Sequence, residues 1–205
     1  MNRQELFDFL KQSQGFVTSE LQKAFEEVDR GNFVLPGYLS QAYEDHPLPI
    51  GYDATISQPT TVLFMLNLLG PEPAELILDV GAGSGWTTAL LAHAVGKSGQ
   101  VFGTELVPEL VEYGNSNLKK YSFDTKIEQA IELGLPEHAP YDKILVSAAA
   151  SDLPKELVDQ LRVGGRLVLP IRNSVFAIDK VSEDKLGVKE YPGFAFVPLR
   201  PSRTR

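Results

Sequence analysis

Cysteine is absent from this chain of 205 residues. No disulfide framework, thiolate nucleophile or cysteine-based zinc site is therefore available to it. Histidine is nearly as scarce: the three present, His46, His93 and His138, stand far apart without ligand spacing, so no metal is expected. Basic residues are outnumbered, 19 Lys and Arg against 27 Asp and Glu, for a formal net charge of -8. That balance argues against a nucleic-acid partner, whose phosphates demand a positive face. No apolar run is long enough to cross a bilayer, and the opening Met1-Asn-Arg-Gln-Glu-Leu-Phe7 lacks the apolar stretch of a signal peptide. The expectation is a cytoplasmic protein with no membrane partner, acting as a monomer. A composition of 43% hydrophobic and 22% charged residues is that of an ordinary globular domain with ample material for a core.

The most informative stretch is Leu76-Ile-Leu-Asp79-Val-Gly81-Ala82-Gly83-Ser-Gly85. An apolar strand ends in an acid, a glycine-rich turn follows, and a helix begins at once. Glycine lets backbone approach a ligand closely and tolerates positive φ. The open end of a parallel sheet is where α/β proteins bind cofactors. Twenty residues past Gly85, at the end of a second expected strand, stands Glu105, placed to hold the two hydroxyls of a ribose. A dinucleotide fingerprint runs G-x-G-x-x-G, whereas here the spacing is G-x-G-x-G with Asp79 two residues before the first glycine. A carboxylate beside the phosphate seat would repel a pyrophosphate. It would attract a ligand carrying an ammonium and a sulfonium, as S-adenosyl-L-methionine does. The methyl-donor reading stands ahead of the dinucleotide one, and a purely structural turn is the minority reading.

Two regions read differently along the chain. Near the start, Leu6, Phe9 and Leu10, then Leu21, Phe25 and Val28, fall at helical spacing, and Ser19 with Gln22 forms a candidate capping box for the second helix. The stretch from Phe33 to Ile56 is rich in Pro, Gly and Tyr with little periodicity; a long segment of this kind in a compact protein is usually functional. Ser57 is a candidate cap for a helix with Pro59 in its first turn. From Leu76 onward strands are expected at 76–80, 100–104, 125–129, 143–147 and 166–171, with helices near 85–95, 107–120 and 154–162, the last closed by Gly164 and Gly165. Further strands at 174–181, 186–190 and 194–199 should pair antiparallel at the sheet edge. The fold class is α/β, a doubly wound, mostly parallel, Rossmann-like sheet with an N-terminal helical extension and antiparallel C-terminal strands. Residues 1–60 form the extension and a covering loop, 61–199 the cofactor-binding core, and 200–205 a solvated tail, one domain overall.

Three blocks then resemble one family. Asp45-His-Pro-Leu-Pro-Ile-Gly-Tyr-Asp53-Ala54-Thr55-Ile56-Ser57-Gln58-Pro59 is similar to the D-x-P-L-P-I-G-x-G-Q-T-I-S-x-P of the protein-L-isoaspartate O-methyltransferases. Leu78-Asp79-Val-Gly81-Ala-Gly83-Ser-Gly85-Trp86 looks like that family's cofactor loop, and Tyr141-Asp-Lys-Ile-Leu-Val-Ser147 with Gln160-Leu-Arg-Val-Gly-Gly-Arg-Leu-Val-Leu-Pro170 resembles its later strands. Smaller echoes are Val28-Asp-Arg30 with Phe33-Val34, and Phe196-Val-Pro-Leu199. The likeness runs over about residues 28–199, and the Pro-Leu-Pro-Ile-Gly block is its most specific part. The resemblance implies methyl transfer from S-adenosyl-L-methionine to the α-carboxylate of an L-isoaspartyl residue in damaged proteins or peptides, which are the expected partners. It implies Ser57 as the active-site serine, with Thr55 and Ile56 beside the substrate. Ser57, Gln58, Asp79, Gly81, Ala82, Gly83, Gly85, Glu105, Leu106, Ala130 and Ile131 are the cofactor-binding positions it marks. A carboxylate is already ionised at neutral pH, so the acceptor needs positioning and exclusion of water more than a base.

The chain departs from the family's pattern in places. Asp53-Ala54 replaces Gly-Gln, and Thr60 and Thr61 stand where histidine is usual. The family's Gly-Asp-Gly, whose aspartate contacts the adenine amino group, aligns with Gln129-Ala130-Ile131, and losing such a contact costs roughly 1 kcal/mol unless Glu128, Gln129 or Glu132 replaces it. Two alternatives therefore stay beside the isoaspartyl reading: a methyltransferase for another carboxylate, and a non-catalytic binding module that keeps the fold. Trp86 is read equally as cofactor wall or helix packing. Gly96-Lys97-Ser98 looks like a phosphate loop but ends a helix and has Leu91 where the first glycine belongs, so it is assigned no role.

Overall fold

The computed structural model of the chain describes residues 1–199; the expected solvated tail at 200–205 lies outside the described residues. Two helices open the chain, α1 (Arg3–Ser13) and α2 (Ser19–Glu27). At α1 the Asn2 side chain accepts from the Glu5 N–H while Glu5 accepts from the Asn2 N–H, a reciprocal cap. The expected cap of α2 at Ser19 is displaced by one residue. Thr18 is the capping residue, its hydroxyl accepting from the Leu21 N–H at 3.1 Å, because Ser19 already has helical backbone.

The aperiodic segment is ordered. After two 3-10 turns at Arg30–Phe33 and Pro36–Gln41 it forms an antiparallel hairpin, β1 (Leu48–Gly51) and β2 (Ala54–Ile56). Tyr52 and Asp53 both take positive φ at its tip, as two-residue hairpin turns require. Helix α3 (Pro59–Leu69) follows. Ser57 does not cap it: Gln58 holds that position, and Asp45 accepts from the Thr60 N–H at 2.9 Å from across the covering segment.

The core then alternates β3 (Leu76–Val80), α4 (Trp86–Val95), β4 (Gln100–Glu105), α5 (Pro108–Leu118), β5 (Thr125–Gln129), β6 (Tyr141–Val146), α6 (Lys155–Asp159), β7 (Leu161–Ile171), β8 (Ser174–Ser182) and β9 (Lys185–Pro192). The seven-stranded sheet has the order β5-β4-β3-β6-β7-β8-β9, parallel through β7 and antiparallel beyond it. Crossovers leave β3 toward β4 on one side and reach β6 on the other, so a crevice opens over the carboxyl ends of β3 and β6. The two faces are covered unequally. Ile77 packs with the buried side chains of α1 to α5, while Leu78 and Val80, pointing the other way, pack with Leu135, Tyr141 and Leu157 of α6.

Two expectations at the C-terminal end need correction. The helix expected over 154–162 is only α6, and Gly164 and Gly165 lie within β7 instead of ending a helix. A Cβ on Gly165 would sit 2.7 Å from the Asp142 carbonyl, where the β6–β7 register shifts; the glycines accommodate a bulge. The segment 194–199 is not a third antiparallel strand. Beyond Pro192 and Gly193 (φ 100°) the chain leaves the ladder, and Phe194 stacks on Phe64 of α3 with ring centroids 4.9 Å apart. It then runs beside Ala149, whose N–H donates to Val197 at 2.8 Å and whose carbonyl accepts from Leu199 at 2.7 Å.

Candidate active site

Three glycines shape the turn after β3, each for its own reason. All have positive φ: 78° at Gly81, 50° at Gly83 and 86° at Gly85. A Cβ on Gly81 would meet nothing within 4 Å, so this glycine leaves an open cradle. On Gly83 a Cβ would come 3.1 Å from Ile50 Cδ1 of the hairpin, and on Gly85 it would come 3.1 Å from the Gly114 carbonyl of α5. The turn is tied to the next strand by the Gly81 and Ala82 N–H groups, both donating to the Thr104 carbonyl at 2.8 and 3.0 Å.

The two acids flank this turn in different states. Asp79 is fully buried; its Oδ2 accepts from the Thr87 and Thr88 hydroxyls, each at 2.7 Å, and its Oδ1 has no partner among the described residues. Burial pushes its carboxyl up to about 6, the nearby Glu105 charge adds to the rise, and the two hydroxyls oppose it. Glu105 is only partly buried. One of its oxygens accepts from the Gly83 N–H at 3.1 Å and the other from the Leu106 and Val107 N–H groups at 2.7 and 3.1 Å. Three backbone donors thus fix its orientation at the end of β4.

A cavity of about 260 Å³ lies over this turn. The hairpin from Ile50 to Ser57 roofs it, Val80–Ser84 floors it, and Thr104–Val107, Ala130, Glu132, Ser147 and Val197–Leu199 wall it. Of the positions marked in the sequence, Thr55, Ile56, Ser57, Gly81, Ala82, Gly83, Glu105, Leu106 and Ala130 line the cavity. Four stand apart from it. Asp79 lies beneath the floor, Gly85 carries the start of α4, the Gln58 side chain donates to Asp45 at 3.0 Å, and Ile131 is 85% exposed. Of the three candidates to replace the adenine-contacting acid, Glu132 lines the cavity while Glu128 and Gln129 do not. Trp86 is buried and lines the cavity, with its indole N–H unpartnered among the described residues; wall and packing roles coincide there.

A family model described as protein-L-isoaspartate(D-aspartate) O-methyltransferase matches residues 1–204. The chain belongs to that family. The relatives named protein-L-isoaspartate O-methyltransferase include one from Aeropyrum pernix, 45% identical over 193 residues, covering 90% of this chain and 74% of its own length. Another, from Methanopyrus kandleri, is 38% identical over 205 residues, covering 96% of this chain and 90% of its own. A solved structure from Plasmodium falciparum, described as a protein-L-isoaspartate O-methyltransferase in complex with S-adenosyl-L-homocysteine, superposes with a TM-score of 0.84 at 27% identity, over 98% of this chain and 99% of that one.

The methyl donor of a protein-L-isoaspartate O-methyltransferase is S-adenosyl-L-methionine, and this site fits it. The orphaned Asp79 oxygen is a buried acceptor awaiting a cation or donor, the Gly81 cradle admits a ligand against backbone, and Glu105 presents a held carboxylate. Sequence reasoning assigned no role to Thr87 and Thr88, whose hydroxyls follow the turn, nor to Gly114, which lets α5 approach it. Hydroxyls in the first turn of α4 are ordinary residues in sequence; only the fold aims them at Asp79.

Proposed function

We propose that this chain transfers a methyl group from S-adenosyl-L-methionine to the α-carboxylate of L-isoaspartyl residues in damaged proteins and peptides, the first step of their repair. The observation that carries the reading is the hairpin with Thr55, Ile56 and Ser57 roofing the same cavity whose floor is the glycine turn and whose wall is Glu105. When bound, S-adenosyl-L-methionine supplies an electrophilic methyl on a sulfonium. Glu105 would hold its ribose hydroxyls, Gly81–Gly83 its amino-acid end with the Asp79 carboxylate beneath them favouring the ammonium by its charge, and the backbone near Ala130 its adenine. Ser57 and its neighbours would hold the acceptor carboxylate, and the roof would keep water out. Among the described residues the lining offers Asp53, Glu105 and Glu132 but no Lys, Arg or His. A carboxylate nucleophile needs no base, so that lining is sufficient for this chemistry. The resulting ester closes to a succinimide unaided, and hydrolysis returns some normal aspartate.

Residues 1–60 serve in this reading as the extension and cover, and 61–199 as the cofactor core. We carry the expectation of a monomer in the cytoplasm, and light scattering of the purified protein tests the oligomeric state. No helix among the described residues is long and apolar enough to cross a membrane.

The test pairs two peptides that differ only in aspartyl against isoaspartyl linkage, with methanol release as readout. Turnover confined to the isoaspartyl peptide supports the repair reading. Turnover on the normal peptide alone overturns it in favour of another carboxylate, and cofactor binding without turnover on either favours the non-catalytic module.

A further inference from the structure

Arg30 is 2% exposed and makes no ion pair within reach of its guanidinium among the described residues. Its Nη1 donates to the Ala42 carbonyl at 2.6 Å and more weakly to Glu44 at 3.4 Å; its Nη2 donates to the His46 carbonyl at 3.0 Å and to the Ser57 carbonyl at 3.1 Å. The guanidinium carbon lies 5.3 Å from the centre of the Trp86 ring, which itself lines the cavity. One side chain thereby joins both ends of the covering segment, from Ala42 to Ser57, to the first residue of α4.

We propose that Arg30 is a positioning residue for the acceptor carboxylate, clasping the covering segment so that Ser57 is held over the glycine turn and placing a buried positive charge behind it. The inference rests on the methyl-transfer reading above.

Stability alone is a poor reason for this arrangement. Burying a cation is costly, and replacing buried charges with apolar side chains is often neutral or stabilising. Here the acceptors are neutral carbonyls, and Nε is left unpartnered among the described residues. Burial pulls the guanidinium down to about 10, with Asp45 nearby opposing the fall, so the group remains cationic at neutral pH. What the arrangement provides is geometry and field. A planar fork can hold carbonyls up to fifteen residues apart in the chain at fixed spacing, which a flexible ammonium cannot reproduce. In a cavity whose charged lining side chains among the described residues are all acidic, a cation bonded to the backbone of Ser57 favours an arriving anion. The clasp also explains why Ser57 is spared from capping α3. Its carbonyl faces Arg30, and Asp45 does the capping.

The experiment compares the full-length protein with Arg30→Lys and Arg30→Met by hydrogen exchange, S-adenosyl-L-homocysteine calorimetry and steady-state kinetics on an isoaspartyl peptide. Exchange should rise across residues 42–57 in both variants and stay unchanged at 76–85. S-adenosyl-L-homocysteine affinity should stay within about threefold, while kcat/KM for the peptide falls roughly 10²-fold in Arg30→Met. Arg30→Lys, keeping the charge without the fork, should recover part of that loss, chiefly in KM. Unchanged exchange over 42–57 in folded Arg30→Met overturns the proposal. So does a loss of peptide turnover no larger than the loss of folded fraction or of S-adenosyl-L-homocysteine affinity. If the parent protein methylates neither peptide yet the variants show the exchange change, the clasp stands and the methyl-transfer reading falls.

Discussion

Gly114 of α5 lies directly against the Gly83 carbonyl of the glycine turn: a Cβ there would sit 2.7 Å from that oxygen and closer still to Ile127 Cδ1. The helix can reach the turn only because this position has no side chain. Alanine in place of glycine in a helix is ordinarily worth about 1 kcal/mol of added stability. Overpacking against backbone costs about 1–3 kcal/mol, and backbone cannot swing aside as a side-chain tip can. Gly114→Ala is therefore expected to be destabilising by about 1–2 kcal/mol and to weaken S-adenosyl-L-homocysteine binding, measured by urea unfolding and calorimetry. A stabilised variant would show that the turn yields.

Ser57 and Asp45 should separate function from stability. Asp45 accepts from the Thr60 N–H, the Thr60 hydroxyl and the Gln58 amide, so it caps α3. Asp45→Ala should lose about 1–2 kcal/mol of stability. Ser57→Ala should unfold within about 0.5 kcal/mol of the parent, because it is the Ser57 carbonyl that Arg30 engages. Its kcat/KM on an isoaspartyl peptide should nonetheless fall by roughly 10 to 10², since the proposed function has the hydroxyl orient the acceptor. Parent-like kinetics in Ser57→Ala would remove the hydroxyl from the reaction.

Asp79 makes stability depend on pH in an unusual direction for a carboxylate. Its pKa is raised to about 6 in the folded protein, against about 3.9 for an unfolded aspartate. Between those values the folded state keeps a proton that the unfolded state releases. This group's contribution to stability is therefore complete below about pH 4 and is lost as pH rises toward and through about 6, at up to 1.4 kcal/mol per unit. Asp79→Asn should flatten that fall in denaturant titrations of the ligand-free protein. The ammonium of S-adenosyl-L-homocysteine favours the ionised carboxylate, so its affinity should rise across the same window in the parent and not in Asp79→Asn. A parent affinity independent of pH would place the ammonium elsewhere.

Ala130 lines the cavity and donates its N–H to the Glu105 carbonyl at 2.8 Å, at the position that the sequence resemblance aligns with an adenine-contacting aspartate. Restoring that acceptor should gain about 1 kcal/mol or slightly more, so Ala130→Asp is expected to bind S-adenosyl-L-homocysteine about 5–10-fold more tightly by calorimetry. An unchanged affinity would mean that Glu132 or the backbone already supplies the contact.

Much of the core could be read without the fold because its signals are local. A run of apolar residues, an acid and a glycine-rich turn mark β3 and the start of α4, and the expected boundaries at 76–80 and 125–129 coincide with those observed. Glu105 was legible for the same reason, as the acid ending the next strand. The errors arose where a local signal has two readings. Gly164 and Gly165 look like a helix stop, yet they serve a bulge in β7 whose cause is the register of β6, a partner distant in sequence. The segment 194–199 has strand composition, but Phe64 and Ala149 direct it to the cavity wall.

The sequence by itself determined the strand–turn–helix that begins at Leu76, the pair of acids about it and the block containing Ser57, because periodicity, glycine and charge act through neighbours along the chain. Only the tertiary structure decided what those residues do together. It buried Asp79 beneath the floor while holding Glu105 in the wall, moved the capping of α3 from Ser57 to Asp45, and brought Arg30 under the covering hairpin. Burial and hydrogen-bond partnership depend on what the folded chain places within a few ångströms, and for these residues the partners come from other parts of the sequence.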